Sequence, residues 1–290
     1  MKHYTRLRAY SLSTDGASLS LSVNEKFTLI EARYNEDNRA GIRYEMRKTG
    51  VERVDVLHIT SWDEDHCNAG ELKTILQVLK PKRIEYPSYT PHCDNGKEAK
   101  KLIENYADGD VVAITPYKVA NCVKNRLYGS DVLFNPLVNN PDPAKSNDNS
   151  VAKIFREGSF QVLSLGDCED KSISERLRGE EILQKEVDVL ILAHHGSTNS
   201  VVTPEFLDDV KPRFVICPVD RDNRFEHPDP KVRSWLNNRG IPYLTTKDGD
   251  VVLRTKDTHE YQVFQVKDSW TEQDRSPLTS KTFYPNDIYD

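Results

Sequence analysis

The feature that most constrains this chain is a repeated one. Apolar segments of strand length end, one after another, on side chains able to ligate a metal. Residues 54–59 (Val-Asp-Val-Leu-His-Ile) run directly into Thr60-Ser61-Trp62-Asp63-Glu64-Asp65-His66. Residues 160–165 break at Gly166-Asp167, residues 187–193 end at His194-His195, and residues 214–219 lead through a charged loop to His227. Short apolar runs bounded by Gly, Pro and acidic turns read as buried strands. One carboxylate at a strand end is an ordinary turn residue, and a single acidic run is most often a solvated loop. Four metal-capable tips in one chain instead form a set. Its mixture of carboxylate and imidazole suits zinc, iron or manganese, with the carboxylates shifting preference toward harder ions.

Between these tips the chain alternates strand and helix patterns. Strands are expected at 5–11, 19–23, 27–30, 54–59, 83–86, 111–114, 131–134, 151–155, 160–165, 187–193 and 214–219. Helices are expected over 35–50, over 97–106, as a mixed helix over 171–185, and over 204–210. Two more are carried by Leu72, Ile75, Leu76 and Leu79 up to Pro81, and by Val232, Trp235 and Leu236 up to Gly240. The turns include Asp15-Gly16 and Asn24-Glu25, and a Pro- and Asn-rich connection falls at Asn139-Asn140-Pro141-Asp142-Pro143. Residues 243–246 and 251–255, joined by Lys247-Asp248-Gly249-Asp250, read as a hairpin. Strands in two batches with helices interleaved give an α/β architecture of two sheets with helices on the outer faces. It is expected to occupy residues 1–267, followed by a polar tail, 268–290. His58 falls inside a strand and reads as a core residue, whereas His3, His92 and His259 look incidental.

Composition narrows the function. With 290 residues, 37% hydrophobic and 30% charged, the chain can bury a substantial core. No apolar run approaches the ~18–20 residues of a membrane span, and the N-terminus lacks the apolar region of a signal peptide. The five cysteines are scattered, odd in number and without a Cys-x-x-Cys pair. That argues against a disulfide framework or a zinc knuckle and for a reducing, cytoplasmic setting. A net charge of -6 excludes a nucleic-acid binder that relies on a broad basic face. Any such polyanion would have to be held by local groups and bound cations.

Taken in order, Asp63-Glu64-Asp65-His66, Gly166-Asp167, Ala193-His194-His195-Gly196-Ser197 and His227 resemble the metallo-β-lactamase fold, an αββα sandwich of two mixed sheets. The chain also has Asn149-Ser150 opening a strand, Ser164-Leu165-Gly166-Asp167, and Asp222-Asn223-Arg224-Phe225-Glu226-His227-Pro228. With these it is similar, over about residues 5–255, to the hydrolase domain of ComEC-type DNA-uptake proteins and its stand-alone relatives. The resemblance implies a metal-dependent hydrolase of phosphodiester bonds, a nuclease acting on DNA through metal-activated hydroxide, with two divalent ions, zinc or manganese. Asp65 and His66 would hold one ion with His227, Asp167 would bridge, and Asp63 would serve the other ion. Ser61 stands where the fold has its first ligand histidine. A hydroxyl is the weaker ligand, so the first ion is weakly held, absent, or recruits His194 or His195. Glu31, in Leu29-Ile30-Glu31-Ala32, replaces an aspartate common among relatives. Asp65 and His195 are the catalytic candidates, His195 orienting substrate or stabilising charge. Ser197, Asn199, Arg221 and Arg224 are the candidates for phosphate contact. Two alternatives stay open: a lactone, thioester or β-lactam hydrolase, which Asp63 and Ser61 disfavour, and a weakened binding or regulatory module acting beside a protein partner.

Overall fold

The computed structural model describes residues 5–23, 25–125, 130–135, 145–157, 160–255, 260–266 and 279–282. Asn24, the 139–143 connection, His3, His259 and all of the 268–290 segment except 279–282 lie outside the described residues.

Strands buried along almost their whole length, with both faces covered, build two sheets. The first contains β1 (Thr5–Ala9), β2 (Leu19–Val23), β3 (Lys26–Ile30), β4 (Val56–His58), β5 (Arg83–Pro87), β6 (Asp110–Ile114), β13 (Asp250–Thr255), β14 (Glu260–Val266) and β15 (Thr279–Thr282). Their order is β15-β14-β13-β1-β2-β3-β4-β5-β6, parallel from β3 to β6 and antiparallel elsewhere. The second sheet contains β7 (Val132–Phe134), β8 (Ala152–Glu157), β9 (Phe160–Ser164), β10 (Val189–Ile191), β11 (Phe214–Cys217) and β12 (Tyr243–Thr245). It runs β12-β11-β10-β9-β8-β7, parallel from β9 to β12.

The period of two in β10 shows how the layers are specified. Val189 and Ile191 point into the cluster between the sheets, with Leu7, Leu21, Phe160 and Leu253, whereas Leu190 faces the opposite way. On that outer side it meets the apolar stripes of α5 (Lys171–Arg178), α7 (Pro204–Val210) and α8 (Pro230–Asn238), through Ile173, Phe206 and Leu236. The first sheet is covered likewise by α1 (Arg39–Thr49), α2 (Ala69–Val78) and α3 (Asp94–Glu104), through Ile42, Leu72, Ile75 and Ile103. The result is the expected αββα sandwich. Near its middle the inter-sheet layer also holds charge. His58, fully buried in β4, contacts Glu85 at 3.1 Å, and Glu85 pairs with the equally buried Lys153 of β8 at 2.9 Å.

Three expectations are corrected. The 243–255 hairpin does not form: β12 pairs with β11 at the edge of the second sheet, and β13 pairs with β1 and β14 in the first. Asp248-Gly249 does turn the chain, but Thr246 is pinned to the end of β11 by its hydroxyl, which bonds Val219 N (2.8 Å) and Val219 O (2.6 Å). The next strand is thereby handed to the other sheet. Residues 171–185 hold two helices, α5 and α6 (Glu181–Glu186), divided at Gly179. A helix that was not expected, α4 (Pro116–Lys124), follows β6, with Thr115 accepting from Lys118 N and Pro116 in its first turn. All five cysteines are free thiols. Among the described residues, no helix is long and apolar enough to cross a membrane.

Candidate metal centre

The tips of β4, β9 and β10 meet along one edge of the sandwich. Val151 N donates to Thr60 O at 2.9 Å, which ties the end of β4 to the start of β8 across the two sheets. Gly166 has φ +54, and a Cβ there would lie 2.9 Å from Ser150 Cβ and 3.0 Å from Thr60 Cβ. Only glycine lets the end of β9 approach this closely, and that approach delivers Asp167. Past β4 the chain turns tightly, with His66 N and Cys67 N both bonded to Asp63 O, so that Asp65 and His66 turn back toward Asp167. Past β10, His194 (φ 45°) and His195 (φ 52°) both occupy the left-handed region. Two successive non-glycine residues there carry strain that surrounding structure must hold in place.

Together these turns gather Asp65, His66, Asp167 and His195, one ligand atom from each lying within 4.8 Å of the others. His66 Nε2 is 2.8 Å from Asp167 Oδ1, and His195 Nε2 is 3.2 Å from Asp65 Oδ2. Each imidazole is oriented from behind. His195 Nδ1 meets Pro218 O at 2.9 Å, and His66 Nδ1 lies 3.2 Å from both Thr60 Oγ1 and Glu31 Oε1. With Nδ1 as the donor on both rings, each Nε2 lone pair points into the cluster, as ligating histidines require. Glu31 is itself fixed by Thr60, accepting from its amide at 3.0 Å and from its hydroxyl at 2.6 Å.

Electrostatics follow the geometry. Burial pulls His66 down, but the carboxylates of Asp167, Glu31 and Asp65 more than offset this, and its pKa stands well above the ordinary value. Burial pushes Asp167 up, yet the neighbouring His66 charge holds it below the usual carboxylate range, and Asp65 is lowered similarly against burial by His66 and His195. A divalent cation fits this set. His66 Nε2 and Asp167 Oδ1 are buried, and neither has an aligned hydrogen bond despite their proximity. Buried polar atoms are rarely left so. Two imidazoles and two carboxylates are a suitable donor set for zinc, manganese or iron.

The remaining sequence candidates fall around this cluster. His194 turns away to pair with Glu169. Asp63 is held by the hydroxyls of Ser61 (3.1 Å) and Ser146 (2.8 Å), and Ser61 Oγ also contacts Tyr89 OH at 3.1 Å. His227 borders a cavity of about 310 Å³ that it shares with Asp65, His195 and Ser197. Burial and the adjacent His195 and His194 lower its pKa, which favours the neutral ring. Ser197 Oγ is buried without a hydrogen-bond partner. Asn199 instead closes a turn, accepting from Val201 N and Val202 N. Arg221 pairs with Asp37 at 3.0 Å and Arg224 with Asp15 at 2.8 Å. Glu31 is not one of the four tips that stand out in the sequence, although it follows β3 as another acidic strand tip. Thr60, Glu169 and Tyr89 carried no signal of their own.

No family model matches the chain. The architecture is the metallo-β-lactamase fold. The metallo-β-lactamase fold protein YhfI from Bacillus subtilis superposes with a TM-score of 0.51 at 12% identity, covering 86% of this chain and 100% of that one. CmlA, a diiron beta-hydroxylase from Streptomyces venezuelae, gives 0.51 at 14% identity, over 87% of this chain and 54% of its own. In sequence, the chain is similar to ComE operon protein 3 of Bacillus subtilis (strain 168), 29% identical over 209 residues. That match takes in 71% of this chain but only 25% of the relative, so the chain spans about a quarter of that protein.

Proposed function

We propose that this protein is a divalent-metal-dependent hydrolase of phosphodiester bonds, with nucleic acid as its substrate class. The observation that carries the reading is the buried pair His66 Nε2 and Asp167 Oδ1, within the four-donor cluster and beside a cavity lined by His227 and Ser197. Asp65, His66, Asp167 and His195 would hold the ion. When bound, it would supply a water nucleophile at neutral pH and positive charge to polarise a phosphoryl oxygen. Glu31 and Pro218 O fix the imidazoles that face it. His227, on the wall of the cavity, would contact phosphate oxygens there. The mixed carboxylate–imidazole donor set, and the resemblance of the motifs to the hydrolase domain of DNA-uptake proteins, favour phosphodiesters over lactones or lactams. The fold alone does not choose, since it also serves a hydroxylase.

Purified protein with Mn²⁺ or Zn²⁺ should cleave bis-p-nitrophenyl phosphate and DNA or RNA oligonucleotides, and Asp167→Asn should abolish both activities. Faster turnover of lactones or thioesters, or phosphodiester cleavage that survives Asp167→Asn, would overturn the proposal.

A further inference from the structure

The rim of the cavity carries an aromatic ring that the core does not use. Phe225, between β11 and α8, is 60% exposed. A lone exposed apolar residue is ordinary, but here three facts coincide. Phe225 borders the cavity that also contains Asp65 and His195. Its ring stacks on that of His227, with centroids 5.7 Å apart and planes at 24°. The Arg224 guanidinium, 67% exposed, lies over the ring at 4.7 Å and is anchored to Asp15. The loop that presents the ring is well braced. Asn223 N bonds Asp220 Oδ1 at 2.6 Å, the Asn223 amide bonds both N and O of His227, and Arg221 N bonds Leu12 O.

We infer that Phe225 and Arg224 form a stacking subsite for an unpaired nucleobase flanking the phosphodiester at the cluster. The inference rests on the phosphodiester reading above and narrows it to substrates whose bases are free, namely single strands or short nucleotides. Aromatic rings and guanidinium planes are the surfaces on which splayed bases stack, whatever their identity. Inside a duplex, the neighbouring pairs already occupy both faces of a base.

The test compares wild type, Phe225→Ala and Phe225→Trp, all loaded with Mn²⁺. The substrates are a single-stranded oligonucleotide, its duplex, a dinucleotide, and a strand of abasic units. Wild type should prefer the base-bearing strand to the abasic one and to the duplex. Phe225→Ala should reduce that preference about 5- to 100-fold, and Phe225→Trp should keep it. Loss on the oligonucleotide alone points to a polymer, and loss on the dinucleotide as well to a nucleotide-sized ligand. In a parallel binding assay, 2-aminopurine in the single strand should be quenched by wild type and not by Phe225→Ala. An unchanged preference in Phe225→Ala, together with unchanged quenching, overturns the subsite while any abasic-strand turnover upholds the phosphodiester reading. Quenching that depends on Phe225 without turnover of any substrate keeps the subsite and overturns hydrolysis.

Discussion

Replacing Glu31 with Gln removes a charge beside His66 and almost nothing else. The side chain is buried and nearly isosteric with Gln, and its backbone, at φ 69°, makes the same demand of either residue. What changes is the charge beside His66 Nδ1 and behind its hydrogen-bond partner, Thr60 Oγ1. The carboxylate accepts from Thr60 N at 3.0 Å and from Thr60 Oγ1 at 2.6 Å, and it faces His66 Nδ1 at 3.2 Å. Charge-assisted hydrogen bonds are roughly twice as strong as neutral ones. Losing such a partner behind a ligating histidine typically weakens metal binding by about 10- to 100-fold, or about 1.4–2.8 kcal/mol. A second effect opposes this one. Glu31 is among the groups that raise His66, so its removal lets His66 shed its proton more readily and reduces proton competition with the ion. At alkaline pH only the first effect remains, and the deficit of Glu31→Gln should reach its full size there and shrink on acidification. Competition with a chromophoric chelator across a pH series measures this directly. Affinity equal to wild type at alkaline pH would refute the orienting role of Glu31.

Further outcomes follow from the same geometry. Because the carboxylates of Asp167, Glu31 and Asp65 raise His66 above its ordinary pKa against the effect of burial, an ion binding there competes with its proton. Metal affinity should therefore fall as pH drops through that raised pKa, and binding in weakly buffered solution should release protons, read with an indicator dye. Gly166→Ala places a Cβ about 3 Å from Ser150 and Thr60 at a left-handed φ. It should lower stability by at least about 1–2 kcal/mol and weaken metal binding with it, by urea melts and chelator competition. Glu85→Ala leaves the buried Lys153 with Asp131 alone and should cost about 3 kcal/mol in urea unfolding. Burial pushes Glu85 up, but Lys153 and His58 hold it far below the usual carboxylate range. Its stabilisation is thus fully present above the unfolded-state value of about 4.3 and is lost as pH falls below it. The acid-unfolding curves of wild type and Glu85→Ala should converge in that range.

The layers of the fold were legible because strands buried on both faces read as short apolar runs and each covering helix carries an apolar stripe. The partner of β13 was not. Asp248-Gly249 is sound hairpin chemistry, but Thr246 is anchored at Val219 while β13 pairs with β1 and β14 in the other sheet, contacts distant in sequence. The site shows the same division. Asp65, His66 and Asp167 were visible as strand-tip ligand types, and the structure places them together. Which of two adjacent histidines joins them depends on a left-handed pair of residues and a carbonyl at Pro218, neither of which has a local signature. The shared hydrogen bond to Tyr89 that occupies Ser61 is likewise a contact between residues 28 apart in sequence.

Metal content tests the central claim most directly. Protein purified without chelators should carry at least about one divalent ion per chain. Chelation should lower its melting temperature, added Mn²⁺ or Zn²⁺ should restore it, and Asp167→Ala should fold but hold no ion. A wild-type chain that purifies metal-free and melts at the same temperature with or without added Mn²⁺ and Zn²⁺ would contradict the account.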